Sequence, residues 1–384
     1  MGMNQFTGYA AMAAHVRAIV PAKKMEGRIQ SFFRTYGDVI DATCALPLLQ
    51  RLRCVSQLGA KYNTIALPLV MPVDVTGVID RLSLVTPMSR WQHSRAVAAH
   101  AIAIGLSIGW DEKRVLESAL GALFHDLGHP MFSHAVESLL LRYGLPNHEM
   151  LGATLVQTDT RLRALLGHLE IPVDRVLAVM AEEGDAGAVQ NVADTLAYVE
   201  HDSVVIGTNQ RADVFSARVV ETIEGVTQGV LRVREADPLA ELLSMRAGLS
   251  IYLYEHPVNR MCNTMLVALC EYLIVNGHLV LEQVARGIDA DLWGTVDILE
   301  APVPDWVKSI VALLRGSPVE LVRWSLKPGV DTLVFHGAGI LPALNLGKKS
   351  YRILLPSGLD HTLRTDVSTF PRHLGFQYTL VFLG

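Results

Sequence analysis

The chain is short of charge and of cysteine. Only 18% of its 384 residues are charged, half are apolar, and the formal net charge is −5. That balance argues against a broad basic face for nucleic acid, while leaving room for a local basic pocket that holds phosphates. The four cysteines, Cys44, Cys54, Cys262 and Cys270, form no C-x-x-C pair and no zinc-knuckle spacing. Lone thiols so far apart fit a reducing compartment, and the expected location is cytoplasmic. No run of 18 apolar residues escapes a charge or a proline, so no membrane span is expected. The mildly apolar stretch 9–20 is followed by Lys23 and Lys24, the reverse of the order in a secretory leader. Met1-Gly2 is followed by Phe6 where myristoylation needs Ser or Thr.

What the chain does have is apolar residues at three-to-four spacing. This pattern predicts helices over 95–108, 117–124, 149–169, 188–201 and 263–275. Breaks fall at Leu127-Gly128-His129-Pro130 and at Ile206-Gly207, where glycine and proline stop helices. After about residue 287 prolines gather at Pro302, Pro304, Pro318 and Pro328. Short β-rich runs follow at 332–335, 351–355 and 378–382. The expected fold is mainly α, with a tail over 1–29, a helical core over 30–285 and a smaller α+β lobe over 286–384.

Six of the fourteen histidines lie between His93 and His148. A lone histidine is most often a hydrogen-bonded structural residue, but the adjacent pair His125-Asp126 changes the odds. It sits where an apolar helix ends, and a buried aspartate needs a compensating charge, for which a metal ion is one adequate source. His93, His125, Asp126 and Asp194 would give a two-histidine, two-carboxylate set suited to Mn, Fe, Co, Ni or Zn and tolerant of Mg. Such a set leaves positions open for water and a phosphate oxygen, as a hydrolytic site requires. Asp194, Tyr198 and Asp202 follow at i, i+4 and i+8, one stripe of one helix. A tyrosine hydroxyl and a carboxylate there would hold a sugar hydroxyl; the plainer alternative is a solvated helix face.

Several longer motifs accompany the pair. They are Leu49-Gln50-Arg51-Leu52-Arg53 with Gln57-Leu58-Gly59, then Ser89-Arg90-Trp91-Gln92-His93-Ser94, then the run from His125 to His134, and the helix from Asp194 to Asp202. Together they resemble the HD superfamily, in particular its deoxynucleoside triphosphate triphosphohydrolases and, among these, the branch that joins an HD domain to a sterile-alpha-motif domain. A weaker likeness runs through Met245-Arg246, Tyr254-Glu255-His256 and Asn263-Thr264-Met265, so that it covers roughly residues 30–285; the sterile-alpha-motif domain is absent.

The resemblance implies an HD-domain helical core and hydrolysis of a deoxynucleoside triphosphate to deoxynucleoside and triphosphate. It assigns His93, His125, Asp126 and Asp194 to the metal, and Arg90, His129, His134 and Arg246 to the phosphates. His148 would be the catalytic histidine with Glu137 as its carboxylate partner. Gln57, Leu58, Tyr198 and Asp202 would line the deoxyribose pocket. Departures are Thr195, Ala197 and His201, where the family carries a Lys or Arg, a second Asp, and an Arg; one phosphate-facing cation is thus missing. Gln50 and Arg53 match part of a regulatory nucleotide site, but Ala45 replaces an Asp that reads guanine, which argues against activation by GTP. The resemblance also implies a homo-oligomer. Two rivals stand beside this reading. One is another HD-type nucleotide phosphohydrolase or phosphodiesterase; the alarmone branch normally has two acidic residues shortly after its His-Asp pair, and a cyclic-nucleotide branch needs Gly-Tyr-Pro, neither of which is seen. The other is a nucleotide sensor without chemistry.

Overall fold

The computed structural model describes residues 9–20, 25–59, 88–205, 212–254, 257–299 and 302–315, with short strands at 332–333, 350–354, 360–364 and 380–381. Helices α1 (Tyr9–Ile19), α2 (Glu26–Cys44) and α3 (Pro47–Arg51) open it. The chain returns at α4 (Arg90–Ser107), which starts on a capping box. Ser89 Oγ accepts the Gln92 N–H, and Gln92 Oε1 accepts the Ser89 N–H at 2.9 Å. This box, invisible to the apolar period, sets the helix start at Arg90 rather than at the expected residue 95. Small and apolar residues surround α4 on nearly every side, so it is the buried axis of the fold. Helices α5 (Glu112–Phe124), α10 (Gly184–Val205), α1 and α11 (Ala212–Thr222) pack around it.

Part of the expected tail is a working element. Met12, Val16 and Ile19 lie at i, i+4 and i+7, and α1 buries them against α4, α2 and α11. The helix expected over 149–169 is two helices, α7 (His148–Thr158) and α8 (Thr160–His168). Asp159 separates them by accepting the Arg161 and Leu162 N–H groups, both at 2.9 Å, as the cap of α8. Helix α6 (His134–Arg142) precedes them and α9 (Val173–Met180) follows.

A hairpin of β1 (Ile223–Thr227) and β2 (Val230–Val233) interrupts the helices. It is followed by α12 (Asp237–Leu249), a π-turn at Ser250–Tyr254, α13 (Pro257–Val275), α14 (Leu281–Arg286), α15 (Asp289–Asp297) and α16 (Asp305–Leu314). Strands β3 (Thr332–Leu333), β4 (Ser350–Leu354) and β6 (Leu380–Val381) fall in the three β-rich runs. A further strand, β5 (Asp360–Arg364), lies in a polar stretch whose sequence does not announce it. Strand β4 joins the hairpin in parallel to β2, giving the order β1-β2-β4-β5, while β3 pairs with β6. The fold is mainly α. The Ile206-Gly207 break and Glu255-His256 lie outside the described residues.

Two apolar cores lie side by side. The larger gathers α1 to α5 with α7 to α12. The smaller packs α6 and Met131-Phe132 against α13, α14, α15 and α16. Residues from both sides of the expected boundary at 285/286, such as Leu273, Ala285, Leu292 and Ile310, share that smaller core. The segment after α5 crosses from one core to the other, since Leu127 belongs to the first and Met131 to the second. That crossing carries His125, Asp126 and His129.

Candidate metal-dependent active site

Four side chains from three parts of the chain meet beside the crossing. Helix α4 contributes His93, the turn after α5 contributes His125 and Asp126, and α10 contributes Asp194. His93 Nε2 lies 3.0 Å from Asp194 Oδ1 and 3.8 Å from Asp126 Oδ2. His125 Nε2 lies 3.2 Å from Asp126 Oδ1 and 3.8 Å from Asp194 Oδ1. The ligand atoms of His93, His125 and Asp194 all sit within 4.8 Å of one another.

The donor set fits a divalent cation for a specific reason. His125 Nδ1–H donates to the Ala122 carbonyl at 2.7 Å, which leaves Nε2 as a bare lone pair. Burial holds this imidazole below its ordinary pKa, so it is neutral near pH 7. Its Nε2 is buried and without a hydrogen-bond partner, yet it faces two carboxylates. A lone pair aimed at anions is repulsive unless a cation lies between them, and imidazole with carboxylate suits a borderline divalent metal.

Asp126 is 2% exposed. Burial alone would raise its pKa, but the Arg90 guanidinium beside it outweighs that and holds the carboxyl well below the usual range. Arg90 NH1 donates to Asp126 Oδ2 at 2.9 Å, Nε to Ser133 Oγ at 2.8 Å, and NH2 to the Gln57 carbonyl at 3.3 Å. With all three nitrogens engaged and 4% exposure, Arg90 is a brace for Asp126 before it is a phosphate ligand.

A second group adjoins the first through His129. Its Nε2 is 3.1 Å from Asp126 Oδ1, and its ring stacks on His148 with centroids 4.0 Å apart. Burial, then the charge of Arg90, hold His129 well below its ordinary pKa, so it is neutral and brings no positive charge to a phosphate. Glu137 Oε1 accepts both the His148 backbone N–H at 2.9 Å and His148 Nδ1–H at 2.6 Å. Its other oxygen accepts His134 Nδ1–H at 3.0 Å. Burial would raise the Glu137 carboxyl, but these hydrogen bonds hold it far below the usual range. His134 is the exposed member of the group.

The backbone of the crossing is built for close approach. A Cβ on Gly128 would fall 2.0 Å from the His148 carbonyl oxygen and 2.3 Å from the Gly152 nitrogen, so only glycine lets α7 bring His148 against the turn. Phe132 and Ser133 both carry positive φ, 54° and 55°, in a conformation costly for side-chain-bearing residues. Ser133 Oγ donates to the Ser56 carbonyl at 2.6 Å while accepting from Arg90.

The expected sugar-side residues come close by another route. Gln57 and Leu58 are buried next to Arg90, and Gln57 N–H donates to the Met88 carbonyl. Tyr198 and Asp202 lie on α10 with Asp194, as the i, i+4, i+8 stripe requires. Asp202 is fully buried, and both oxygens are engaged: His201 Nδ1 lies 2.9 Å from Oδ1, and the Tyr254 hydroxyl donates to Oδ2 at 2.5 Å. It therefore supports Tyr254 instead of standing open to a sugar hydroxyl. Burial, then Asp202, push the Tyr254 hydroxyl well above its ordinary pKa, while the charge of Arg246, on α12, acts in the opposite sense. Of the pair that matches a regulatory nucleotide site, Arg53 lies over the Trp91 ring at 4.3 Å and Gln50 donates to the Cys44 carbonyl.

Sequence reasoning missed four supports. Arg51 donates to the carbonyls of Leu127, His129 and Gly287, and Ser133 links Arg90 to Ser56. Both stand inside recognised motifs, which was the available signal. Asp289 accepts the backbone N–H groups of Ser56 and Phe132, and Tyr254 anchors Asp202. Asp289 lies 233 residues from one partner, and nothing local betrays it.

The HD domain family model matches residues 90–218, about a third of the chain, and that segment contains His93, His125, Asp126 and Asp194. No curated protein matches. Among solved structures, a hypothetical protein from Aquifex aeolicus aligns with a TM-score of 0.58 and 17% identity, covering 88% of this chain and 89% of its own. A phosphohydrolase from Bacteroides thetaiotaomicron VPI-5482 aligns with a TM-score of 0.57 and 17% identity, covering 85% and 89%. The two structural likenesses show a shared fold, and within this chain the HD domain occupies residues 90–218.

Proposed function

We propose that the chain is a metal-dependent nucleotide phosphohydrolase that cleaves deoxynucleoside triphosphates to deoxynucleoside and triphosphate. The observation that carries the reading is the convergence of His93, His125, Asp126 and Asp194, with the His125 lone pair aimed between two carboxylates. The fold shared with a solved phosphohydrolase agrees with it.

A divalent ion held by those four residues supplies Lewis acidity toward a phosphate oxygen and toward a water nucleophile. Arg90 keeps Asp126 ionised and aimed, and neutral His129 fills the space between Asp126 and His148. Glu137 fixes His148 through Nδ1, which leaves Nε2 to give a proton to the departing 5′ oxygen. Exposed His134 and the cation of Arg246 would meet the triphosphate. Tyr198, Leu58 and Gln57 take the sugar, and a pocket close around C2′ would reject a ribose by clash.

The test is turnover of the eight common nucleotides with Mn, Mg, Fe, Co, Ni or Zn, with products separated. Triphosphate release from deoxynucleotides supports the proposal. Release of phosphate or pyrophosphate assigns the site to another HD-type phosphohydrolase. Nucleotide retained without metal-dependent turnover makes it a sensor, and equal rates for dATP and ATP remove the sugar selectivity.

A further inference from the structure

Helices α4 and α10 run alongside each other so that His93 meets Asp194 and, two turns further on, His100 meets Glu200. Seven residues of helix separate the two sites by roughly 10 Å along the axis. His100 is fully buried, and its Nε2 lies 2.9 Å from Glu200 Oε2. From the N-terminal helix, His15 brings its Nε2 to 3.5 Å from the same oxygen, with the two imidazole centroids 5.1 Å apart. The three ligand atoms lie within 4.8 Å of one another.

We propose that His15, His100 and Glu200 form a second divalent metal site, separate from the active site, that clamps helix α1 onto α4 and α10. A plain hydrogen bond accounts for His100 and Glu200 but leaves the rest unexplained. His15 Nε2 is buried without a partner in hydrogen-bond geometry, and it faces an oxygen already approached by His100 and by Ser216 Oγ at 3.3 Å. Donors bound to one tetrahedral zinc at about 2.0–2.2 Å lie about 3.3 Å apart, the range these pairs already span. Two imidazoles with one carboxylate select a borderline ion such as Zn(II) over Mg or Ca, and three protein ligands leave a fourth position for water.

The site needs nothing from the hydrolytic reading, and its test is metal content and stability rather than turnover. Full-length protein is stripped with a chelator, reloaded with Zn(II), desalted and assayed for zinc per chain. His15→Gln should carry one equivalent less than the natural chain, and Glu200→Gln should lose the same equivalent. His93→Ala should lose a different one, so that the double variant loses two. Because a variant that folds poorly would also lose metal, thermal melting supplies the second readout. Zn(II) should raise the Tm of His93→Ala but raise it less in His93→Ala combined with His15→Gln. Equal zinc content in the natural chain and His15→Gln, or equal Tm rises in the two His93 backgrounds, would overturn the proposal.

Discussion

At the scale of single residues, the proposed function separates groups that would hold a metal from groups that would move a proton. Asp126→Ala should abolish metal binding, and by stranding the buried Arg90 charge it should also cost about 3–5 kcal/mol of stability. Asp126→Asn keeps the shape and a partner for Arg90, so it should lose metal with a smaller loss of stability; metal content and chemical denaturation together check both. His148→Ala should leave metal content unchanged while lowering kcat by ~10²–10⁴. Glu137 allows a pH prediction with a definite sign. Its carboxyl is depressed in the folded chain by hydrogen bonds from His134 and His148, so its contribution to stability is fully present above the ordinary value of 4.5 and is lost as pH falls below it. The natural chain should therefore exceed Glu137→Gln in stability at pH 7, with the gap narrowing toward pH 4 in paired denaturation curves. A gap that widens on acidification would show the sign to be wrong.

At the scale of elements, the decisive piece is the turn that leaves α5 and enters α6. It passes between two cores, and three distant contacts fix its path: Arg51 on its carbonyls, Asp289 on the Phe132 N–H, and Gly128 against the start of α7. Gly128→Ala should push α7 away, because backbone atoms of His148 and Gly152 stand where the methyl would go. We expect a destabilisation of about 1–3 kcal/mol with a larger loss of kcat than of metal. Arg51→Ala should cost about 1–3 kcal/mol by leaving buried carbonyls without a donor, and should loosen metal binding without touching a ligand. Metal titration beside a stability measurement separates these effects.

At the scale of the whole molecule, the N-terminal helix and the middle hairpin join parts that composition sets apart. Helix α1 belongs to the larger core, and β2 gives β4 its parallel neighbour. Among the described residues no helix is long and apolar enough to cross a membrane. The same pair of helices, α4 and α10, supports both clusters of side chains that could hold a metal ion, so their spacing is a property of the architecture and not of one site.

The sequence by itself determined the helical character and the Asp194-Tyr198-Asp202 stripe, both written in local spacing, and its motifs named His93, His125, Asp126 and Asp194, with His148 and Glu137, as candidates. Only the tertiary structure decided that His125 Nε2 faces two carboxylates, that Arg90 and Asp202 are already engaged, that His129 is neutral, and that Asp289 and Tyr254 support the site. Those facts depend on burial and on contacts between residues far apart in the chain. Periodicity carries no record of them, because desolvation and hydrogen-bond geometry exist only once the helices have packed.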